Sequence, residues 1–138
     1  MLFRSTELLS LLDQHARAGH NQYAPMAGVP VLREAIAAKV HALYGREVHP
    51  DTEVTVTAGA TQALFTAIAA LVHPGDEVIV FAPVYDSYGP AIRLQGGTVV
   101  HATLRHPDYR PDWDEVAKLI TPRTRMIITN TQIGRAHV

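Results

Sequence analysis

The chain of 138 residues contains no cysteine, which excludes disulfide bonds, thiolate metal sites and a cysteine nucleophile. Without disulfides to maintain, the cytoplasm is the compartment that we expect. Charge is also scarce, since charged residues make up 18% of the chain and the formal net charge is −1. Nucleic acid and anionic membranes usually bind proteins with a basic excess, so neither is an expected partner.

Two other kinds of signal are missing. The early run Leu8–Leu12 is far too short to span a bilayer and is interrupted by charge on both sides, so it fits an amphipathic helix better. The eight histidines are scattered and show no HExxH or comparable ligand spacing. We therefore expect no metal site.

Both ends of the chain resemble translated sequencing adapter. Residues 2–5 and the tail 133–138 each match a reading frame of a common short-read adapter, and the tail follows no hydrophobic period. We expect residues 1–5 and 132–138 to be foreign and residues 6–131 to be native, and foreign ends are excluded from the interpretation of the fold. The alternative is that both are ordinary termini.

The first third of the sequence predicts two helices. The first covers Glu7 to Arg17 and stops before Gly19, and the second begins at Pro30 and ends at Tyr44, before Gly45. Apolar residues of the second helix recur at spacings of four, four and three, which places them on one face and its polar residues largely elsewhere. The apolar set is Leu32, Ile36, Val40 and Leu43; the polar set is Arg33, Lys39 and His41.

Beyond Asp51 strands and helices alternate. The predicted strands are Val54–Thr57, Val78–Phe81, Thr98–Ala102 and Met126–Thr129. Helices are predicted after Thr61, from about Tyr85 to Leu94, and from Asp112 to Ile120; the first of these is apolar nearly all round and is expected to be buried on several sides. Four such alternations predict right-handed crossovers and an α/β domain.

Ligands of such domains bind beyond the carboxyl ends of the strands, where Gly59, Ala60 and Thr61 open a helix. Gly59 permits close backbone approach, and the free N–H groups and dipole of the first turn favour an anion, most naturally a phosphate. The alternative is a tight turn in which Thr61 only caps the helix.

Two more residues follow strand ends. Tyr85 could lay its ring over a planar ligand or could simply pack, and Asn130 could bond a ligand or satisfy a loop backbone. Imine chemistry would require a lysine, and the chain has only Lys39 and Lys118, both predicted on helices away from strand ends. Neither is a credible nucleophile.

Five segments resemble, in order and spacing, the class I/II pyridoxal-phosphate (PLP) aminotransferases of fold type I, and the bacterial methionine and kynurenine branch in particular. They are NQYAPMAGVPVLREAIAAKV, EVTVTAGATQAL, PGDEVIVFAPVYDSY, GG and RMIITNT. The resemblance implies a three-layer sandwich with a mostly parallel sheet, of which this chain is the N-terminal part of the large domain.

The resemblance also implies residue roles. Gly59, Ala60 and Thr61 resemble the phosphate cup, Tyr85 resembles the aromatic residue stacked on the pyridine ring, and Tyr23 resembles the tyrosine that reaches the cofactor phosphate of the neighbouring subunit. Asn130 is similar to the first asparagine of the NTPHNPTG-type segment. The Schiff-base lysine and the other catalytic residues would lie beyond the C-terminus, so this chain supplies no catalytic residue.

The activity implied is transfer of an amino group from a methionine-like or aromatic amino acid to a 2-oxo acid, by a homodimer. The chain alone is expected to be inactive. Two alternatives share much of this half of the fold: a PLP-dependent carbon–sulfur lyase, and the non-catalytic aminotransferase-like sensor domain of certain transcription regulators.

Overall fold

The computed structural model describes residues 5–130. The segments expected to be foreign lie outside the described residues except for Ser5, whose hydroxyl accepts a hydrogen bond from the Leu8 N–H at 3.2 Å and caps the first helix. The described chain divides between Val56 and Thr57 into two compact units. Within residues 5–130, no helix has the length and apolar character needed to cross a membrane.

The first unit contains helices α1 (Thr6–Arg17) and α2 (Pro30–Tyr44), which confirms both predicted helices. Pro30 occupies the first turn of α2, where its missing N–H leaves no backbone acceptor unpaired. At the other end Gly45 adopts a left-handed φ of 64° and its N–H donates to the His41 carbonyl at 2.8 Å. These end signals are local, so the sequence alone was sufficient to place them.

The residue that organises the first unit is Arg33, which the helical pattern predicted to lie off the buried face. That prediction was wrong: Arg33 is the buried residue of α2, with 8% of its surface exposed. Its Nε donates to the Gly28 carbonyl at 3.2 Å, and its Nη1 donates to the Pro50 carbonyl at 2.9 Å and to Asp51 Oδ1 at 2.8 Å. A guanidinium can be buried when its donors are paired in this way.

The run Val54–Thr57 was predicted to be a strand and is not one. The Val56 N–H donates to the Ala27 carbonyl at 3.0 Å in a loop, and no ladder pairs this run with a strand among residues 5–130. A β-branched run becomes a strand only where a neighbouring strand supplies the hydrogen bonds, and local sequence does not report that neighbour.

The second unit is an α/β layer structure around a three-stranded sheet. Its elements are α3 (Ala60–Leu71), β1 (Glu77–Ala82), α4 (Tyr88–Leu94), β2 (Thr98–Thr103), α5 (Trp113–Lys118) and β3 (Thr124–Ile128). The strand order is β2-β1-β3 and both pairings are parallel. Helix α4 begins three residues later than predicted because Pro90 is tolerated only in a first turn, where no i−4 carbonyl is required.

Alternate residues of β1 are buried on opposite faces of the sheet. Val78 and Val80 join a cluster with α3 and α4, which contribute Ile68 and Ile92, whereas Ile79 joins a cluster with Val116 of α5. The three layers of the expected sandwich are therefore present in this unit.

Helix α3 is less buried than its composition predicted. Ile68 is its one buried residue, while Phe65 and Leu71 are 42% and 46% exposed. The expectation of burial on several sides was wrong for the described chain, because only the face toward α4 and β1 is covered.

An ionic contact between buried Glu77 and exposed Arg123 joins the beginnings of β1 and β3. Glu77 accepts hydrogen bonds from the Arg123 guanidinium and from Thr121 Oγ1, the latter at 2.6 Å, while its own N–H donates to the Arg123 carbonyl at 2.8 Å. The pairing register shifts immediately after it, so that Arg125 is the extra residue. Arg125 Nε donates to the Leu71 carbonyl at the end of α3, at 2.9 Å.

We expect Glu77→Gln to lower the melting temperature at neutral pH. Hydrogen bonds from Thr121 and Arg123 hold the pKa of Glu77 below its ordinary value of 4.5. The stability that the carboxylate contributes is therefore fully present above pH 4.5 and lost as the pH falls through the lowered pKa. Thermal unfolding across the acid range measures this: the gap between wild type and variant is expected to shrink toward low pH. Glu115→Gln, which breaks an exposed pair with Lys118, is the matched control, and an equal pH-dependent effect there would contradict the assignment.

Replacing Arg33 by methionine removes three hydrogen bonds and leaves two carbonyl groups and a carboxylate without their donor. We expect Arg33→Met to lower the free energy of unfolding by about 1.5–3 kcal/mol, the range for hydrogen bonds to a charged group. Arg17→Met is the control, since the Asp13–Arg17 pair is exposed and worth well under about 1 kcal/mol. Urea unfolding of both variants would reveal the difference, and similar losses would argue against an organising role for Arg33.

Candidate cofactor-binding site

The N-terminus of α3 is held open by its local sequence. Gly59 precedes the helix with φ 94° and ψ 165°, a conformation essentially restricted to glycine, and offers no side chain to cap it. On either side the turn is tied down, since Thr57 Oγ1 donates to the Gly59 carbonyl at 3.1 Å and Gln62 Oε1 accepts from the Ala58 N–H at 2.6 Å. The turn is thus shaped without using the amides of the first helical turn.

Those amides are the available donors of this site. Within residues 5–130, the N–H groups of Ala60, Thr61 and Gln62 have no acceptor, and the first helical bond is from the Ala63 N–H to the Gly59 carbonyl at 3.3 Å. By contrast, Ser5 and Asp112 cap α1 and α5 with side-chain oxygens. An uncapped helix start with three outward donors and a positive dipole end can bind an anion.

Tyr85 lies in the loop that follows β1, with 41% of its surface exposed. Its ring centroid is 5.8 Å from that of Tyr88, and the two rings are tilted by 59°. Tyr88 is itself buried in the core cluster shared with α3 and β1, so one side of the Tyr85 ring contacts a residue that is held in place by the core. The exposed face of Tyr85 is free to receive a planar group.

The helix start and the tyrosine loop are neighbours. Thr61 lines a small cleft of about 40 Å³ together with Ser87 and Tyr88, and Tyr88 in turn contacts Tyr85. Two features that are 24 positions apart in the sequence are therefore brought to the same end of the second unit. This is the carboxyl end of the parallel sheet, where α/β folds bind their ligands.

A larger cavity of about 530 Å³ opens beside Tyr85. Asn130, which follows β3, lines it as well, so the strand-end residues Tyr85 and Asn130 meet at one cavity. Its other walls include Phe81, Tyr88, Leu104 and Tyr109. The volume suits a small organic ligand.

Tyr23 belongs to the first unit, in the loop between α1 and α2, and its side chain is fully exposed. The loop leading from it is fixed at Gly28, where Arg33 holds the carbonyl and the glycine φ of 96° brings the backbone against the Val56 side chain. A large aromatic side chain is thus presented on an anchored loop.

Neither lysine is suited to imine formation. Lys118 is exposed on α5, where a hydrogen bond from its ammonium to Glu115 raises its pKa and holds it in the charged form. A nucleophilic amine must be neutral, and this environment favours the charged ammonium instead. Lys39 is exposed on α2 in the first unit.

Sequence reasoning missed three contributors. Gln62 stands three residues after Gly59, a capping-box spacing that would have identified it. Tyr88 follows Tyr85 by three residues, a spacing that could have suggested a ring contact. No local signal marked Tyr109, whose place depends on how the loop after β2 folds back. Among the described residues, no group of three or more side chains is arranged to hold a metal ion.

Comparison with known proteins places this geometry in a family. The sequence model of the family aminotransferase class I and II matches residues 5–132 of this chain. The methionine aminotransferase of Escherichia coli is 57% identical over 120 residues, which are 87% of this chain and 31% of that protein. Rat kynurenine–oxoglutarate transaminase 1 is 40% identical over 133 residues, covering 86% of this chain and 31% of that protein. The chain thus spans about a third of the length of these curated relatives.

Solved structures agree with the sequence comparison. The crystal structure of the Escherichia coli methionine aminotransferase YbdL superimposes with a TM-score of 0.91 at 53% identity, covering 96% of this chain and 35% of that one. Aspartate aminotransferase of Thermus thermophilus with maleate gives 0.83 at 39% identity, covering 89% and 32%. These neighbours have the fold type I architecture. The chain therefore belongs to the class I and II aminotransferases, a family that depends on pyridoxal phosphate.

Proposed function

We propose that the protein to which this chain belongs is a cytoplasmic aminotransferase that moves an amino group from a methionine-like or aromatic amino acid to a 2-oxo acid. Residues 6–131 form part of its PLP-binding large domain. The observation that carries the proposal is the uncapped start of α3, which shares a cleft with Tyr88, the ring partner of Tyr85. The family model matches the chain from residue 5 to residue 132.

The phosphate of the cofactor fits the first turn of α3. The N–H groups of Ala60 and Thr61 bind its oxygens, the Thr61 hydroxyl adds a further donor, and the helix dipole favours the dianion. Gly59 allows the phosphate to come close to the backbone because it has no side chain. Its φ of 94° is one that other residues adopt only with strain. This fit depends on donors that no other described group uses.

Tyr85 positions the cofactor ring from one side. Its exposed face stacks on the pyridine ring, while contact with buried Tyr88 limits its rotation. When bound, PLP supplies the carbonyl and the electron sink for amino-group transfer. The contribution of this chain is to bind and orient that group.

The fully exposed Tyr23 supports a homodimer. We assign its hydroxyl to the cofactor phosphate of the neighbouring subunit, since an anchored loop presents it away from its own unit's core. The lysine that forms the Schiff base is assigned to the rest of the parent protein, because the environment of Lys118 stabilises its charged form. The chain alone is then inactive.

The direct experiment uses the full-length protein with PLP, methionine or phenylalanine as amino donor, and a 2-oxo acid as acceptor. The expected result is a new 2-oxo acid formed in an amount equal to the amino acid made from the acceptor. Release of ammonia and a cleaved thiol without an acceptor would instead identify a carbon–sulfur lyase. Cofactor binding without turnover of any donor would identify a sensor domain.

Gly59→Ala tests the phosphate site. The added methyl group meets no neighbouring atom, so its effect comes from the backbone conformation, which must shift away from φ 94° and displace the amides of Ala60 and Thr61. We expect PLP affinity in the full-length protein to fall about tenfold or more, which corresponds to roughly 1.4 kcal/mol.

The control for that substitution is Gly45→Ala at the end of α2. Gly45 also has a positive φ and open space around it, although its left-handed helical conformation strains an alanine less than the conformation of Gly59 does. Fluorescence titration of PLP is expected to show unchanged affinity for Gly45→Ala. Equal weakening by both substitutions would mean that Gly59 acts through stability alone.

Tyr85→Leu tests the stacking role. Removing the aromatic face is expected to weaken PLP binding about three- to tenfold, since such ring contacts contribute roughly 0.5–1.5 kcal/mol. Tyr85→Phe keeps the face and is expected to remain within about twofold of wild type. Tyr44→Leu, at an exposed position on α2, is the control. Equilibrium titration of the apoprotein gives the four affinities, and loss in Tyr85→Phe equal to that in Tyr85→Leu would exclude stacking as the cause.

A further inference from the structure

Among the described residues, Tyr109 is the one non-glycine residue with a positive φ, at 46°. A bulky side chain pays a conformational penalty there, and such residues persist only where the surrounding structure holds them. Here the Tyr109 N–H donates to the Arg105 carbonyl at 2.9 Å and closes the loop after β2. The His106 ring meets the Tyr109 ring edge-on at 6.1 Å and braces it.

This loop ends at the ligand cavity. The Leu104 N–H donates to the Ala82 carbonyl at 2.8 Å, which continues the pairing of β2 with β1 to the carboxyl edge of the sheet. From that fixed point the chain turns, and the strained residue brings its ring to the wall of the 530 Å³ cavity that Tyr85 and Asn130 also line. The strain at Tyr109 therefore places an aromatic ring beside the candidate cofactor site.

The chemistry of the cavity wall selects what it can hold. Apolar and aromatic residues dominate it, Asp86 is its one charged residue, and none of the described residues lining it is a lysine, arginine or histidine. A side-chain carboxylate would find no cationic partner there and would face an aspartate. A thioether or an aromatic ring would instead gain contacts with the tyrosine faces.

We propose that Tyr109 is a specificity-determining residue that contacts the side chain of the amino-acid substrate and favours thioether and aromatic side chains over carboxylates. The inference rests on the proposed aminotransferase activity and deepens it. Tyr109 then acts on substrate binding rather than on cofactor retention, which Gly59, Ala60, Thr61 and Tyr85 provide.

The test uses the full-length protein loaded with PLP and the variants Tyr109→Asn and Tyr109→Phe. Asparagine tolerates a positive φ, so it removes the ring while keeping the loop conformation. For Tyr109→Asn we expect kcat/KM to fall about tenfold with methionine and phenylalanine, mainly through KM. With alanine, whose side chain is a single methyl group, we expect it to stay within about twofold. Tyr109→Phe is expected to remain close to wild type. Asp108→Asn, in the same loop, is the control.

A binding measurement separates recognition from turnover. The dissociation constant of α-methylphenylalanine, which cannot lose an α-proton, is expected to rise about tenfold in Tyr109→Asn while the PLP dissociation constant stays within about twofold. Should Tyr109→Asn fail to fold, Tyr109→Trp narrows the cavity and is expected to impair phenylalanine more than alanine.

Two outcomes in Tyr109→Asn, or in Tyr109→Trp if the former does not fold, overturn the inference: an equal loss for every donor, or unchanged discrimination between phenylalanine and alanine. Either would leave the proposed function intact as long as the wild-type protein transfers amino groups. Absence of transfer by the wild type would count against the proposed function itself.

Discussion

Parallel pairing of one buried strand with a neighbour on each side sets the direction of everything else in the second unit. Because β1 is bonded to both β2 and β3 in parallel, all three carboxyl ends meet at one edge, and the segments that leave them carry Tyr85, Tyr109 and Asn130. Antiparallel pairing would send at least one of these segments to the opposite edge. The position of the cavity is therefore set by the strand topology, and the side chains then determine its lining.

The start of α3 lacks the stabilising side-chain cap that α1 and α5 have. A serine or aspartate before the helix would pair one of its free amides, as Ser5 and Asp112 do for α1 and α5, and such caps contribute about 1 kcal/mol. Glycine leaves the donors available for an anionic ligand. Gln62 and Thr57 order the turn by bonding to the Ala58 N–H and the Gly59 carbonyl, and they leave the helix amides unpaired.

The features that sequence predicted well are those fixed locally or by burial on both sides. Pro30 and Gly45 bound α2 through their own φ preferences, and the continuous apolar run of β1 identified a central strand. Local patterns failed where a distant partner decides the outcome. Val54–Thr57 has strand composition, but no strand among residues 5–130 pairs with it. Arg33 is buried because acceptors at positions 28, 50 and 51 surround it.

The candidate site divides in the same way. Gly59, Ala60, Thr61 and Tyr85 follow strand ends or open helices, so motif and topology together predicted their neighbourhood. Tyr109 lies on a loop whose course depends on a left-handed residue and a ring contact, neither of which a pattern of apolar spacing encodes. The burial of Tyr88 could not be predicted from local sequence either, because it results from the packing of α3 and α4 on the sheet.

The irregularity in β3 reaches further than the strand. By inserting Arg125 as an extra residue, it delivers a guanidinium to the last carbonyl groups of α3, where the helix dipole is negative. The opposite pole of the same dipole lies eleven residues away at Ala60, about 16 Å along the axis. A donor at the negative pole stabilises the end of α3, so an extra residue in one strand helps to hold the helix whose other end carries the unpaired amides.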